Sequence, residues 1–420
     1  MNVANSLLAR VAMDNTPAPN PLDDPTLRWP QFDEDERRAV AEVLASGRVN
    51  ALVHGDRNRA FEAGFAALCE VDYAVAVTNG TAALELALHA LGIGPGDEVI
   101  VPATSFFATT SCVVAVGATP VFADILPYAL TIDPASVERM VGPKTRAILC
   151  VHLGGRPCEM AELERIASAH GLWLVEDCAQ AHGARVDGRP VGGFGDAAAF
   201  SFCTDKIMST GGEGGMVMLK SREHWRRAWS CKDHGKDPEK VRTPAVSKGF
   251  RYIHDSFGTN ARMTEMQAAI GCVQLGKLPD WLERRRRNAA TLTALLGSDD
   301  RIIVPEVPEG VEHACYRFYA VLDASLPERG IANSDVIALL VAQGIPAGSG
   351  SCPDMSLESA FAAPPRRDGD LPAARDMGRR TIALPVDHLL GDADMARMAA
   401  ALIGALDELA GEAAAETAGA

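Results

Sequence analysis

The sequence predicts an α/β fold: a large domain on a mostly parallel sheet, followed by a smaller α+β domain. Three observations predict it. Short apolar runs recur between residues 73 and 219, and amphipathic helical stretches separate several of them. The runs are apolar on both faces, as strands covered by helices on both sides of a sheet must be. Near residue 300 this alternation stops, and one strand-like run with longer helical patterns takes over.

The elements follow in order. "DEDERRAVAEVLASG" (33–47) is an amphipathic helix that Gly47 ends. "YAVAVT" (73–78) is an apolar strand, and "TAALELALHALG" (81–92) is a helix with Leu84, Leu88 and Leu91 on one face. "EVIVPA", "PVFADI", "RAILCVHL", "LWLVED", "AAAFSF" and "GGMVML" follow as strands, with "EMAELERIASAHG" helical among them. The polar stretch 231–249 reads as a loop or flap. "MTEMQAAIGCVQLGKLPDWLERRRRNAATLTALLG" (263–297) reads as a long helical connector, with the arginine run 284–287 as a solvated helix face. "YRFYAVLD", "SDVIALLVAQG" and "ADMARMAAALIGALDELA" build the smaller domain. The expected divisions are a partly disordered leader (1–27), a large domain (28–285), a small domain (286–410) and a fraying tail (411–420). No internal repeat is visible.

Composition excludes several function classes. Of 420 residues, 47% are hydrophobic, enough for a sizeable core. The formal charge of −15, from 55 acids and 40 bases, argues against a nucleic-acid binder, which needs a basic face. Ten cysteines occur without a CxxC pair, so they read as small core residues in a reducing compartment. No apolar run approaches the length of a membrane span. The N-terminus lacks a lysine-rich start and a long apolar segment, so it does not read as a signal peptide. The expected location is the cytoplasm, and no metal site is expected.

Three motifs carry chemistry. In "AVTNGTAALELAL" a strand ends, Asn-Gly turns the chain, and Thr81 opens a helix. That geometry aims backbone N–H groups and the positive helix end at one spot, a natural anion site, although many strand–helix junctions share these residues. In "LWLVEDCAQAHGA", Asp177 closes an apolar strand, where open α/β sheets bind ligands. A carboxylate there is costly without a cation. It either caps the next segment or partners a protonated ring nitrogen. In "SFCTDKIMSTGGEGGMV" (201–217), Lys206 stands alone among small residues. It either binds phosphate or faces water, or it forms a covalent bond as an activated amine. The nucleotide P-loop pattern is absent, because the lysine precedes the glycines. Together the three motifs supply an anion cradle, a carboxylate and an amine, and pyridoxal phosphate needs all three.

With these motifs, and with "VPATSFFAT" and "FGTNARMTEMQAAIG" in the same order, the chain resembles the DegT/DnrJ-type family of pyridoxal-phosphate sugar aminotransferases over roughly residues 28–400. The resemblance implies fold type I, with a mixed, mostly parallel sheet. It implies pyridoxal 5'-phosphate as cofactor, cycling to pyridoxamine 5'-phosphate during turnover. Lys206 matches the lysine that bonds the cofactor aldehyde, and Asp177 matches the partner of the ring nitrogen. Gln180 matches the residue near the ring hydroxyl. Gly80 and Thr81 match the phosphate turn, and Ser201 a phosphate-binding hydroxyl. Phe106 falls where the family stacks an aromatic on the ring; without the family it reads as core packing. Asn260 matches an asparagine that a neighbouring subunit lends to the phosphate, which implies a homodimer with shared sites. Without the family, Asn260 reads as a turn residue and Arg262 as a surface ion-pair partner. His182 has either a structural role or a substrate contact.

The implied partners are a glutamate or glutamine donor and a nucleotide-linked keto-deoxy sugar. The product is an amino sugar for polysaccharide or natural-product biosynthesis. A cyclitol-ketone aminotransferase shares the same catalytic set and stands as the alternative. Sugar dehydratases of this fold replace the lysine with histidine, so Lys206 argues against that chemistry. The intact lysine, aspartate and phosphate residues argue against a non-catalytic sensor. "VNALVHG" (49–55) and "GSGSCPDMSLESAF" (348–361) depart from the usual patterns near the substrate, which leaves substrate identity open.

Overall fold

A computed structural model describes residues 28–52, 54–243, 250–362 and 366–419, without the side chains of 412–419. The expected leader at 1–27 lies outside the described residues, as does part of the expected flap, 244–249.

In chain order the strands are β1 (Tyr73–Val77), β2 (Glu98–Pro102), β3 (Thr119–Ala123), β4 (Thr145–Val151), β5 (Trp173–Asp177), β6 (Arg185–Val186), β7 (Arg189–Pro190), β8 (Ala197–Ser201) and β9 (Gly215–Leu219). Later come β10 (Ile302–Ile303), β11 (Val311–Glu312), β12 (Phe318–Leu322), β13 (Arg367–Asp368) and β14 (Thr381–Leu384). Eight of them form one sheet in the order β1-β9-β8-β5-β4-β2-β3-β13. All neighbours are parallel except β9, which runs antiparallel between β8 and β1. The sheet is therefore mixed and mostly parallel, as expected. Because β9 reverses twice, β1 points the same way as β8 and β5. Their C-terminal ends share one edge, where such sheets bind ligands.

Both faces are covered. Helices Gly80–Ala90 and Ala108–Ala115 bury Leu84, Leu88, Cys112 and Val113 against Val75, Val77 and Val101. On the other face, Phe61 and Phe65 of helix Asp56–Cys69 pack on Phe200 and Phe202. Helix Met160–His170 buries Leu163 and Ile166 against Ile148 and Ile100. These strands carry apolar residues at consecutive positions because neither face meets water.

The connector is one helix, Glu265–Leu296. Thr264 and Gln267 close its N-terminus reciprocally: the Gln267 N–H donates to Thr264 Oγ1 at 3.3 Å, and the Thr264 N–H to Gln267 Oε1 at 2.9 Å. It packs against helices Glu34–Ser46, Asp56–Cys69 and Asp392–Gly419. The arginine run on it is not a uniformly solvated face. Arg284 and Arg287 are exposed, but Arg285 is only 1% exposed and donates to the Cys315 carbonyl at 3.2 Å. Arg286 donates to the His313 carbonyl at 2.9 Å. Four consecutive helix positions are spread over about 300° of the helix circumference, so they cannot all face water.

After this helix, β10, β12 and β14 form a three-stranded antiparallel sheet. Helices Asn333–Ala342 and Asp392–Gly419 bury Val336, Leu340, Met395, Leu402 and Leu406 around it. The segment expected as the small domain, 286–410, also contributes to the large sheet and its core. β13 joins the large sheet beside β3, and Met355, Phe361, Leu371 and Met377 enter the large core. The chain returns because β3 would otherwise be an open edge beside buried apolar surface. Where a fraying tail was expected, the last helix continues to Gly419. All ten cysteines are free, and six are buried. Among the described residues, no helix is long and apolar enough to cross a membrane.

Candidate active site

One cavity of about 700 Å³ opens at the shared strand edge. Asn79, Gly80, Thr81, Ser105, Phe106, Asp177, Gln180, Ser201, Asp205, Lys206 and Tyr316 all line it. Gly80, Thr81, Phe106, Asp177, Gln180, Ser201 and Lys206 are therefore brought together, although they span more than a hundred residues.

The helix start at Gly80 comes first. β1 ends at Val77, and Asn79 caps the next helix by accepting from the Ala82 N–H at 2.8 Å. The first-turn N–H groups of Gly80 and Thr81 have no carbonyl behind them in the helix. β8 delivers Ser201 directly against this turn. A Cβ on Gly80 would meet Ser201 Cβ at 2.7 Å, so only glycine lets strand and helix start approach this closely. Gly215 of β9 does the same on the other side, where a Cβ would meet the Asn79 carbonyl oxygen at 2.3 Å.

Asp177 ends β5 and is buried. Its Oδ1 accepts from the Ala179 N–H at 3.1 Å, and its Oδ2 from Thr109 Oγ1 at 2.9 Å. Ser105 Oγ lies 2.8 Å from Thr109 Oγ1 and extends the chain of hydroxyls. Burial raises the Asp177 pKa; these hydrogen bonds and Lys206 oppose the rise without cancelling it. A carboxylate in this state is stabilised by a cation.

Lys206 sits on the irregular turn after β8. Trp29 Nε1 donates to its backbone carbonyl at 2.7 Å and pins that turn. Gly211 and Gly212 follow with φ of +83° and +111°, which brings the chain back into β9. The Lys206 Nζ lies 3.3 Å from Asp205 Oδ2 and 3.5 Å from the Tyr316 hydroxyl. The Tyr316 hydroxyl itself donates to Asp205 Oδ2. Burial disfavours the ammonium, but Tyr316 and Asp205 outweigh it, and the Lys206 pKa is raised.

The remaining expected residues divide. Gln180 Oε1 accepts from the Gly154 N–H at 2.6 Å, which leaves its amide nitrogen for the cavity. Phe106 is 65% exposed at the cavity wall, so it is not a core residue. Asn260 is exposed and does not line the cavity of its own chain. Arg262 pairs with Asp233 at 2.6 Å, and because Asp233 is buried this is more than a surface ion pair. His182 does not reach the cavity. It is 0% exposed, and its ring packs among Phe65, Phe200 and Phe202 at 5.4–6.2 Å between centroids. The substrate-contact reading is corrected to a structural one: burial lowers its pKa to about 3 and keeps the ring neutral.

Thr109, Asp205 and Tyr316 were missed from sequence. Thr109 lies within the quoted "VPATSFFAT", and its N–H donates to the Phe106 carbonyl at 3.1 Å. Tyr316 is 110 residues from Lys206 and carries no local signal. Behind the site, His152 Nε2 lies 3.1 Å from Glu176 Oε2, and Cys178 is close by. The lone pairs there are in use. The Cys158 N–H donates to His152 Nδ1, and Gly192, Phe194 and Gly195 N–H groups fill Glu176. This cluster braces the 192–195 loop rather than offering ligands.

The sequence profile of the DegT/DnrJ/EryC1/StrS aminotransferase family matches residues 30–403. A dTDP-3-amino-3,4,6-trideoxy-alpha-D-glucose transaminase of Streptomyces venezuelae is 37% identical over 348 residues, covering 83% of this chain and 86% of that one. An L-glutamine:2-deoxy-scyllo-inosose aminotransferase of Streptomyces fradiae is 38% identical over 404 residues, covering 89% and 92%. The crystal structure of an aminotransferase from Psychrobacter cryohalolentis superimposes with a TM-score of 0.86 at 40% identity, covering 91% and 98%. A sheet edge carrying an amine, a buried carboxylate and a capped helix start, on a chain matched almost end to end, places this protein in the DegT/DnrJ/EryC1/StrS aminotransferase family.

Proposed function

We propose that this aminotransferase uses pyridoxal phosphate to move an amino group from glutamate or glutamine to a nucleotide-linked keto-deoxy sugar. The product is an amino sugar for polysaccharide or natural-product biosynthesis. The observation that carries this reading is the convergence of Lys206, Asp177 and the Gly80–Ala90 helix start on one cavity.

The residues present fit the cofactor. Gly80 and Thr81 N–H groups, with the Thr81 and Ser201 hydroxyls, suit a phosphate at a helix N-terminus. Asp177, raised by burial, suits a protonated ring nitrogen. Phe106 offers an exposed ring face, and Gln180 an amide donor for the ring hydroxyl. Bound there, pyridoxal phosphate supplies an aldehyde for the amino group and a ring that draws electrons from the donor Cα. Lys206 Nζ takes the Cα proton as general base and returns it as general acid. Asp177 keeps positive charge on the ring nitrogen, and Thr109 keeps Asp177 aimed. The relative from Streptomyces venezuelae acts on a dTDP-linked sugar, which supports a nucleotide-linked ketone here.

Asn260 and the exposed Phe250, Tyr252 and Phe257 (79%, 87% and 98%) share one segment. In this reading a second copy of the chain covers that segment, and Asn260 reaches the partner's phosphate site. The free cysteines support a cytoplasmic setting.

A cyclitol ketone is the second reading, favoured by the scyllo-inosose aminotransferase at similar identity. The test is the absorption spectrum of protein loaded with pyridoxal phosphate, before and after L-glutamate or L-glutamine. The donor is expected to bleach the yellow band, and a nucleotide-linked keto-deoxy sugar to restore it. Lys206→Ala should do neither. Restoration by scyllo-inosose alone transfers the assignment to the cyclitol, and failure to bind the cofactor overturns the assignment of Lys206 and Asp177.

A further inference from the structure

Asp205 and Tyr316 meet at Lys206 from two distant parts of the chain. Asp205 precedes the lysine on the turn after β8, and Tyr316 stands just before β12. The Tyr316 hydroxyl donates to Asp205 Oδ2, the same oxygen that lies 3.3 Å from Lys206 Nζ. Nζ is also 3.5 Å from that hydroxyl and 5.0 Å from the Tyr316 ring centroid, within cation–π range. The Lys206 side chain is only 14% exposed, so these groups replace much of its water. The other charged or titratable groups facing Lys206, Asp205 or Tyr316 are Asp177 at the end of β5, Glu85, Glu213 and Cys203 on the cavity wall, Arg317, Arg28 and Arg285 in the smaller cavity on the other side of Asp205 and Tyr316, and neutral His182 behind β8. Of these acids, only Asp205 is in contact with the amine.

We infer that Asp205 and Tyr316 are positioning residues that receive the Lys206 amine whenever it is free, aim it into the cavity, and stabilise the ammonium it becomes once it has taken up a proton. The inference rests on Lys206 being the proton-carrying amine. During turnover the lysine gains one proton from the donor Cα and later gives one back. Asp205 stays ionised throughout, and the Tyr316 proton stays on its hydroxyl, bonded to Asp205. The pair therefore stabilises the proton-loaded lysine without consuming its proton. Tyr316 has a second part: its bond to Asp205 keeps that carboxylate, itself half-exposed, turned toward Nζ. Removing the carboxylate makes the loaded lysine a stronger acid and narrows the pH range in which it does both jobs.

The full chain stripped of cofactor is pulsed with acetic anhydride across a pH series, and the Lys206 peptide is quantified by mass spectrometry. Asp205→Asn is expected to move the half-point of Lys206 labelling down by about one pH unit, roughly tenfold more labelling at fixed pH. Tyr316→Phe should move it the same way by less, and Asp205→Glu should restore it. Lys220, outside the site, is the internal control. Unchanged half-points in both Asp205→Asn and Tyr316→Phe overturn the inference; if one variant fails to fold, the other decides. Borohydride reduction of wild-type protein with pyridoxal phosphate tests the underlying reading separately. Absence of cofactor on Lys206 there overturns the proposed function, whatever the labelling shows.

Discussion

Thr109 Oγ1 donates to Asp177 Oδ2 at 2.9 Å, tying the helix Ala108–Ala115 to the end of β5. Thr109 is fully buried, and valine matches its shape without the donor. A hydrogen bond to a charged group contributes about 1.5–3 kcal/mol. Thr109→Val should therefore lower kcat by about tenfold to a hundredfold while the protein stays folded. Steady-state kinetics alongside a thermal melt check this, and unchanged kcat would show that Asp177 is aimed by other groups.

Gly80→Ala places a Cβ 2.7 Å from Ser201 Cβ and 3.1 Å from its hydroxyl. The strand and the helix start must separate, and both carry the proposed phosphate contacts. Cofactor affinity should fall by about tenfold or more, since each lost charge-assisted bond contributes on the order of 1.5 kcal/mol or above. Titration of cofactor-free protein with pyridoxal phosphate measures it.

Lys277 Nζ reaches Asp33 at 3.0 Å, Asp35 at 2.8 Å and Glu36 at 2.8 Å. Glu36 is buried and has its pKa raised by burial. Lys277→Met should destabilise the protein by about 2 kcal/mol, less than the full cost of breaking a buried pair because the lysine is 22% exposed. The loss should shrink at low pH, where Glu36 in the variant takes a proton. Denaturant midpoints at two pH values test both parts.

His182, His313 and His388 are all held at about pH 3 by burial. In the unfolded chain they titrate near 6.5, so the unfolded state binds more protons between those values. Stability is then full above about pH 6.5 and falls as pH drops toward 3, by up to about 1.4 kcal/mol per pH unit per histidine. His182→Leu should remove one proton's worth of that slope. An unchanged slope in unfolding free energy from pH 6 to 4 would mean that His182 is not neutral in the folded protein.

Mixing Lys206→Ala with Asn260→Ala tests the shared site. Each variant alone should be inactive or nearly so. A statistical mixed dimer has one site that carries neither substitution, so up to about a quarter of the wild-type sites should recover activity on subunit exchange. No recovery after verified exchange removes Asn260 from the partner's site.

Much of the site was legible because its chemistry is local. A strand, a capping asparagine, Gly80 and Thr81 lie within a few residues, and so do an apolar strand and its terminal Asp177. Lys206 stood out because small residues surround it on both sides. The partners of these residues were not legible. Thr109 is 68 residues from Asp177, and Tyr316 is 110 from Lys206. Thr109 is marked only by its place in "VPATSFFAT", and nothing local distinguishes Tyr316 from any buried tyrosine.

By itself, the sequence determined the α/β class, the strands apolar on both faces, and the motifs that turn each parallel strand into its site loop. Hydrophobic period, helix caps and glycines act over a few residues, so they are written where they act. The tertiary structure decided the rest. It buried Arg285 in a run that looked solvated, sent β13 back to the large sheet, and closed Phe65, Phe200 and Phe202 around His182. Burial depends on what arrives from elsewhere in the chain, and it is burial that made His182 structural, raised Asp177 and gave Lys206 its two partners.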